Sequence, residues 1–180
     1  MDTESLRKQG AVLLAQSGGC AVWQFCNETG EGTMTTYQVF PGVMLGFNDF
    51  HMEYFESRYV ADRRLLAIDH CREGRMEYRV DGRAYCLAAG DMAVLTHWEG
   101  ETCFPTGHYH GVTVTLDPAR APDCLSSFLE DVDVRPQALM DRYCREGGCF
   151  VARSSPRVEH IFSELYTVPE GIRRGYLSVK

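Results

Sequence analysis

Asp81-Gly82 separates two short β-like runs, Met76–Val80 and Arg83–Leu87. A two-residue type I′ turn needs positive φ at both central positions, which Asp-Gly tolerates well. Met76-Glu77-Tyr78-Arg79-Val80 alternates apolar and polar residues, the period of a half-buried strand. The pattern predicts two neighbouring strands. One is Leu65–Arg72, ended by Glu73-Gly74; the other is Met92–Thr96, reached through a turn at Ala89-Gly90-Asp91. Together they read as a tight antiparallel meander. Met34–Phe40 and Val43–Phe50, divided by Pro41-Gly42, add strands before it. Tyr109–Leu116 adds one after it, with Tyr109, Gly111, Thr113 and Thr115 on one face and His110, Val112, Val114 and Leu116 on the other. Strands this short and this numerous curl into a closed barrel or a double-sheet jelly roll rather than a flat open sheet.

The flanks read differently. Residues 4–16 hold Leu6, Val12, Leu13 and Leu14 and are expected to form a short helix ended by Gly18-Gly19. Beyond Asp117-Pro118 the texture is helical. Leu125, Phe128, Leu129 and Val132 fit helical spacing, and Pro136 suits a first turn ahead of Leu139, Met140 and Tyr143. Ser154-Ser155-Pro156 is a start signal for a stripe made by Val158, Ile161, Phe162, Leu165 and Tyr166. Ile172, Tyr176 and Val179 begin another stripe that reaches Lys180 without a stop signal, which suggests a longer parent chain. The expected division is an N-terminal helical segment (1–19), a β-barrel (20–118) and a helical region (119–180).

The net charge of −7 makes this chain a poor partner for a phosphate backbone, whose affinity comes from lysine and arginine displacing counterions. The N-terminus lacks the apolar core of a signal peptide, and no run is apolar enough to span a bilayer, so a cytoplasmic location is expected. Among the eight cysteines the nearest pairs are Cys20/Cys26, Cys71/Cys86 and Cys144/Cys149, none of them a CxxC. Reduced thiols are favoured over zinc or disulfides. No Gly-rich phosphate loop or nucleophile–base pair stands out, and no cofactor is expected.

The blocks Tyr37–Val43, Asn48-Asp49-Phe50-His51, Ile68–Glu77, Ala89-Gly90-Asp91-Met92 and Phe104–Val112 resemble, in order and spacing, AraC-type transcriptional regulators. So does Val158–Tyr166 followed by Val168-Pro169-Glu170. The resemblance covers residues 34–180. It implies a mainly β fold: a cupin-like barrel (double-stranded β-helix or jelly roll) followed by C-terminal α-helices. It further implies a small-molecule effector, a homodimer, and DNA contact only through a helix-turn-helix domain absent from these residues.

The alternative is a stand-alone cupin enzyme, an isomerase or an atypical metal-dependent oxygenase. Metal-dependent cupins carry a His-x-His, a Glu ahead of a Gly, and a further His. Aligned on Gly74, those positions are Ala61, Arg63 and Ala67, and aligned on Gly90-Asp91 the last is Glu101. The usual ligand set is missing, so no catalytic metal is expected. The candidate effector-binding residues are His70, Arg72, Glu77, Trp98, His108 and His110. His70 and Arg72 share a strand face, Glu77 lies on the next strand, Trp98 sits near a barrel mouth, and His108 and His110 share a face. Each also has a plain structural reading: a His70–Glu77 pair holding two strands in register, core packing for Trp98, and packing or solvation for the two histidines. Val158, Ile161, Phe162, Leu165 and Tyr166 form either a two-fold interface, which the resemblance favours, or a cover for the barrel.

Overall fold

The computed structural model describes residues 6–7, 10–56, 65–96, 99–125, 133–144 and 148–169. Its strands are β1 (Val12–Ser17), β2 (Cys20–Asn27), β3 (Gly30–Phe40), β4 (Val43–His51), β5 (Tyr54–Glu56), β6 (Leu66–Val80), β7 (Arg83–Ala88), β8 (Asp91–Leu95), β9 (Glu99–Cys103), β10 (Tyr109–Leu116) and β11 (Cys149–Arg153). Two helices follow the main run of strands, α1 (Pro136–Tyr143) and α2 (Pro156–Thr167). The strands form one curled sheet in the order β1-β2-β3-β4-β10-β6-β8-β11, with β7, β9 and β5 extending from the far half of β6. The fold is mainly β, a curled half-barrel sheet with the helices towards the C-terminus.

Asp81 and Gly82 have φ of 48° and 73°, as a type I′ reversal requires. The neighbouring turns are not reversals. β6 runs unbroken through Glu73-Gly74, and β7 and β8 both pair with it, Arg75 opposite Ala88 and His70 opposite Met92. Instead of a meander, the chain makes one long two-stranded arm, bent where Gly90 N–H donates to the Cys71 carbonyl at 2.8 Å. A glycine with positive φ can kink a paired strand as readily as it can end one. Gly74 (φ 82°) lies so close to β10 that a Cβ would come within 2.2 Å of the His108 carbonyl oxygen.

Two further expectations are corrected. Of the helix expected over 4–16, Leu6 and Arg7 are helical, but from Val12 the chain is strand β1, which pairs with β2 across Gly18-Gly19 (φ 49° and 85°). The apolar members of so short a run fit either period, and the Gly-Gly reversal decides for a hairpin. The barrel therefore begins before residue 20. Nor is everything after 118 helical, because β11 returns to pair with β8, Phe150 opposite Val94. Phe128, Leu129, Val132 and the stripe from Ile172 to Val179 lie outside the described residues.

Strand alternation separates an inner core from two outer ones. Inside pack Trp23, Phe25, Phe50, Tyr78, Leu95, Phe104 and Tyr109. Outside, α2 covers Tyr37, Leu45 and Val112 with Phe162, while α1 covers Val43, Leu66, Val94 and Leu116 with Leu139 and Met140. α2 starts as its sequence requires: Ser155 Oγ accepts from Val158 N–H at 3.3 Å and Pro156 takes the first turn. No disulfide joins the described cysteines. No described helix is long and apolar enough to cross a membrane.

Candidate ligand-binding site

Three central neighbours of the curled sheet, β4, β10 and β6, turn polar side chains inward at one level. The register sets Thr113 opposite Asp69, and Asn48 opposite Gly111. Asn48 Nδ2 donates to Thr113 Oγ1 at 2.9 Å, and Thr113 Oγ1 donates to Asp69 Oδ1 at 2.6 Å. This chain borders a cavity of about 70 Å³ whose other lining is, apart from Thr102, apolar or aromatic, including Phe25, Phe50, Phe55, Phe104, Met34 and Met76. Phe50 stacks on Phe104 at 5.2 Å and on Phe55 at 5.7 Å. Met34, Phe55 and Met76 are only partly buried.

Burial dominates the electrostatics. It pushes the Asp69 carboxyl up to about 6, and only the Thr113 hydrogen bond pulls the other way. Among the described residues no cation offsets it. Burial likewise raises the Tyr78 and Tyr109 phenols, so both stay protonated. The Tyr109 hydroxyl and Asn48 Oδ1 are buried without a hydrogen-bond partner. Gly111 makes room for that hydroxyl, since a Cβ there would come within 2.4 Å of it. The site therefore offers a carboxylate that ionises near neutrality, an unmet amide acceptor and an unmet phenol, in a mostly apolar hollow. Ala67 lines the cavity without a donor atom, and Glu101 is exposed. The described lining includes no imidazole, so these residues do not fit the metal centre of cupin enzymes.

His70, Arg72, Glu77, His108 and His110, expected to bind the effector, do not line this cavity. His70 and Arg72 do share a face, but it is the outer one. The His70 ring stacks on Phe162 at 4.3 Å, its Nε2 lies 3.0 Å from Glu159 Oε1, and its carbonyl accepts from the Tyr166 hydroxyl at 3.4 Å. The Arg72 guanidinium sits 4.8 Å above the Tyr166 ring. Glu77 pairs with Arg75 at 2.8 Å on a half-exposed surface, so the expected His70–Glu77 pair does not form. His108 and His110 share an outer face, their rings 5.8 Å apart. Trp98 lies outside the described residues. The physical reason is common to the group: alternation fixes which residues share a face, but not which face is the inside. Asp69 was missed although a signal existed, a lone acid on the same face as Ala67 and Cys71.

The α2 stripe is spent mainly on the barrel. Phe162 is buried, and Val158, Leu165 and Tyr166 pack on the same outer core, while Ile161 is 51% exposed. Most of the expected two-fold interface is therefore covered within one chain.

No protein-family model and no curated protein matches the chain. Among solved structures it is similar to the AraC-like transcriptional activator CuxR, with 8% identity, 98% of this chain and 60% of that one covered, and a TM-score of 0.49. It is similar to unsaturated fatty acid-bound ToxT from Vibrio cholerae, at 9% identity over 76% of this chain and 50% of that one, TM-score 0.48. A Cupin 2 conserved barrel domain protein from Salinispora arenicola matches at 18% identity over 48% of this chain and 77% of that one, TM-score 0.38. The chain thus spans about half to three-fifths of the regulators it matches.

Proposed function

We propose that this chain is the small-molecule-sensing, cupin-like domain of an AraC-type transcriptional regulator. The observation that carries the reading is the buried Asp69–Thr113–Asn48 chain beside a mostly apolar cavity. A carboxylate without a cation is costly there, so the cavity favours a small, largely apolar molecule whose head is an amine or another hydrogen-bond donor. In this reading the domain binds and does not catalyse.

The signal passes along β6. Asp69 faces the cavity, and the next residue, His70, faces α2. A ligand that moves Asp69 moves the seat of α2, and its differential affinity for the two placements of the helix sets the response. DNA contact belongs to a separate domain of the full protein, consistent with the acidic balance of this one. The proposed regulator is a cytoplasmic homodimer. With most of the α2 stripe covered, the exposed apolar residues Val12, Leu14, Phe150 and Ile161 are its candidate contacts.

The test is thermal denaturation at pH 7.5 with isobutylamine, isobutanol or isobutyrate, which share a body and differ in the head. The amine is expected to raise the Tm, isobutyrate to leave it unchanged, and Asp69→Asn to abolish the amine's effect. Failure of all three compounds counts against this cavity as the sensing site.

A further inference from the structure

We propose that Asp49, His51 and His110 form a binding site for a divalent transition-metal ion on the outer barrel surface, separate from the interior cavity. Asp49 and His51 lie two apart on β4 and so share its outward face, and His110 stands directly opposite Asp49 on β10. His51 Nε2 lies 2.9 Å and His110 Nε2 3.5 Å from the same oxygen, Asp49 Oδ1. One ligand atom from each residue falls within 4.8 Å of the others. Metal–ligand bonds of 2.0–2.1 Å place tetrahedral neighbours about 3.3 Å apart, so two edges of the polyhedron are already close to size. The third closes by rotation of the exposed His51 side chain.

The backbone beneath these ligands is held firmly. Between Asp49 and His51, Phe50 is buried in the inner core, and next to His110 so is Tyr109. A ligand set carried on paired, packed strands loses little freedom when it binds an ion. Two imidazoles and one carboxylate suit zinc, nickel, copper, cobalt or ferrous iron and disfavour calcium and magnesium, which prefer all-oxygen shells. The remaining coordination positions face solvent. His108 stands beside His110, but its Nε2 lies 3.8 Å from Glu73 and its Nδ1 3.1 Å from the Thr106 carbonyl oxygen, outside the ligand cluster. An ion at this place ties β4 to β10, whose inner faces carry Asn48 and Thr113.

The cysteines compete for soft metals, so the test uses cobalt(II) chloride added to the tag-free chain, followed by absorption spectroscopy and calorimetry. Imidazole and carboxylate ligation gives weak ligand-field bands, whereas a thiolate adds an intense charge-transfer band. We expect one equivalent bound without the thiolate band. His51→Ala and His110→Ala should each weaken affinity about tenfold or more. His160→Ala, an exposed histidine beside Glu164 on α2, should leave it unchanged. Circular dichroism of the metal-free variants checks that they fold. A thiolate band at one equivalent, binding indifferent to both His51→Ala and His110→Ala, or no saturable binding would overturn the site.

Discussion

At the scale of single residues the informative group is Asp69. Its carboxyl is raised from the ordinary 3.8 to about 6 by burial. The folded protein therefore holds this proton more tightly than the unfolded chain does. The contribution to stability is complete below about pH 4, declines as pH rises through the folded value near 6, and is gone above it. The loss amounts to about 3 kcal/mol at about 1.4 kcal/mol per pH unit. Asp69→Asn cannot lose a proton, so its stability relative to the parent should rise between pH 4 and pH 7.5 by that amount. Urea denaturation at several pH values measures the difference, and a constant gap would mean that Asp69 is not buried as described. Gly74 and Gly82 give a second contrast. Both have positive φ, but a Cβ meets nothing at Gly82 and the His108 carbonyl at Gly74. Gly82→Ala should cost about 1–2 kcal/mol from the backbone alone. Gly74→Ala should cost more, because β10 must also shift.

Elements were legible where local chemistry and tertiary packing agree. Asp81-Gly82 makes the turn its dihedrals allow, and Ser155-Pro156 starts α2 as caps do. Ser155→Ala should lower stability by about 1 kcal/mol, read from the denaturation midpoint. Legibility ended where one signal serves two geometries. Gly74 lies within β6 rather than ending a strand, and the leucines at 13 and 14 fit a strand as well as a helix. β11 follows Gly147-Gly148 but is only five residues long, and it is fixed by a partner more than fifty residues earlier in the chain. The inward face of β6 is hard to read for a related reason. His70 and Arg72 were the conspicuous residues of β6, yet their polar ends serve α2, and the quieter Asp69 faces inward. The joint between His70 and Glu159 is open to a double-mutant cycle with alanine at each position. A coupling of about 0.5–3 kcal/mol is expected for residues in direct contact. A value near zero would remove this pair from the proposed route between cavity and helix.

For the whole molecule, β4, β10 and β6 form the frame. Their inner faces line the cavity, and their outer faces carry α2 at one end and the Asp49–His51–His110 cluster at the other. A ligand inside and an ion outside would act on the same strands, so each should alter the other's affinity by the same factor. Calorimetry with isobutylamine, with and without cobalt(II), should show this coupling. Equal affinities would mean that the two sites are independent.

The return of β11 to the edge of β8 also bears on the order in which the protein is made. Until residue 153 has emerged from the ribosome, β8 lacks its last neighbour, and one side of its backbone presents unpaired amides and carbonyls to other chains. The pairings of β10 with β4 and β6 join segments far apart in sequence, so the sheet assembles late and that edge stays open while it does. A nascent or shortened chain ending before Cys149 carries an aggregation hazard at β8, and emergence of residues 149–153 lets β11 pair with that edge.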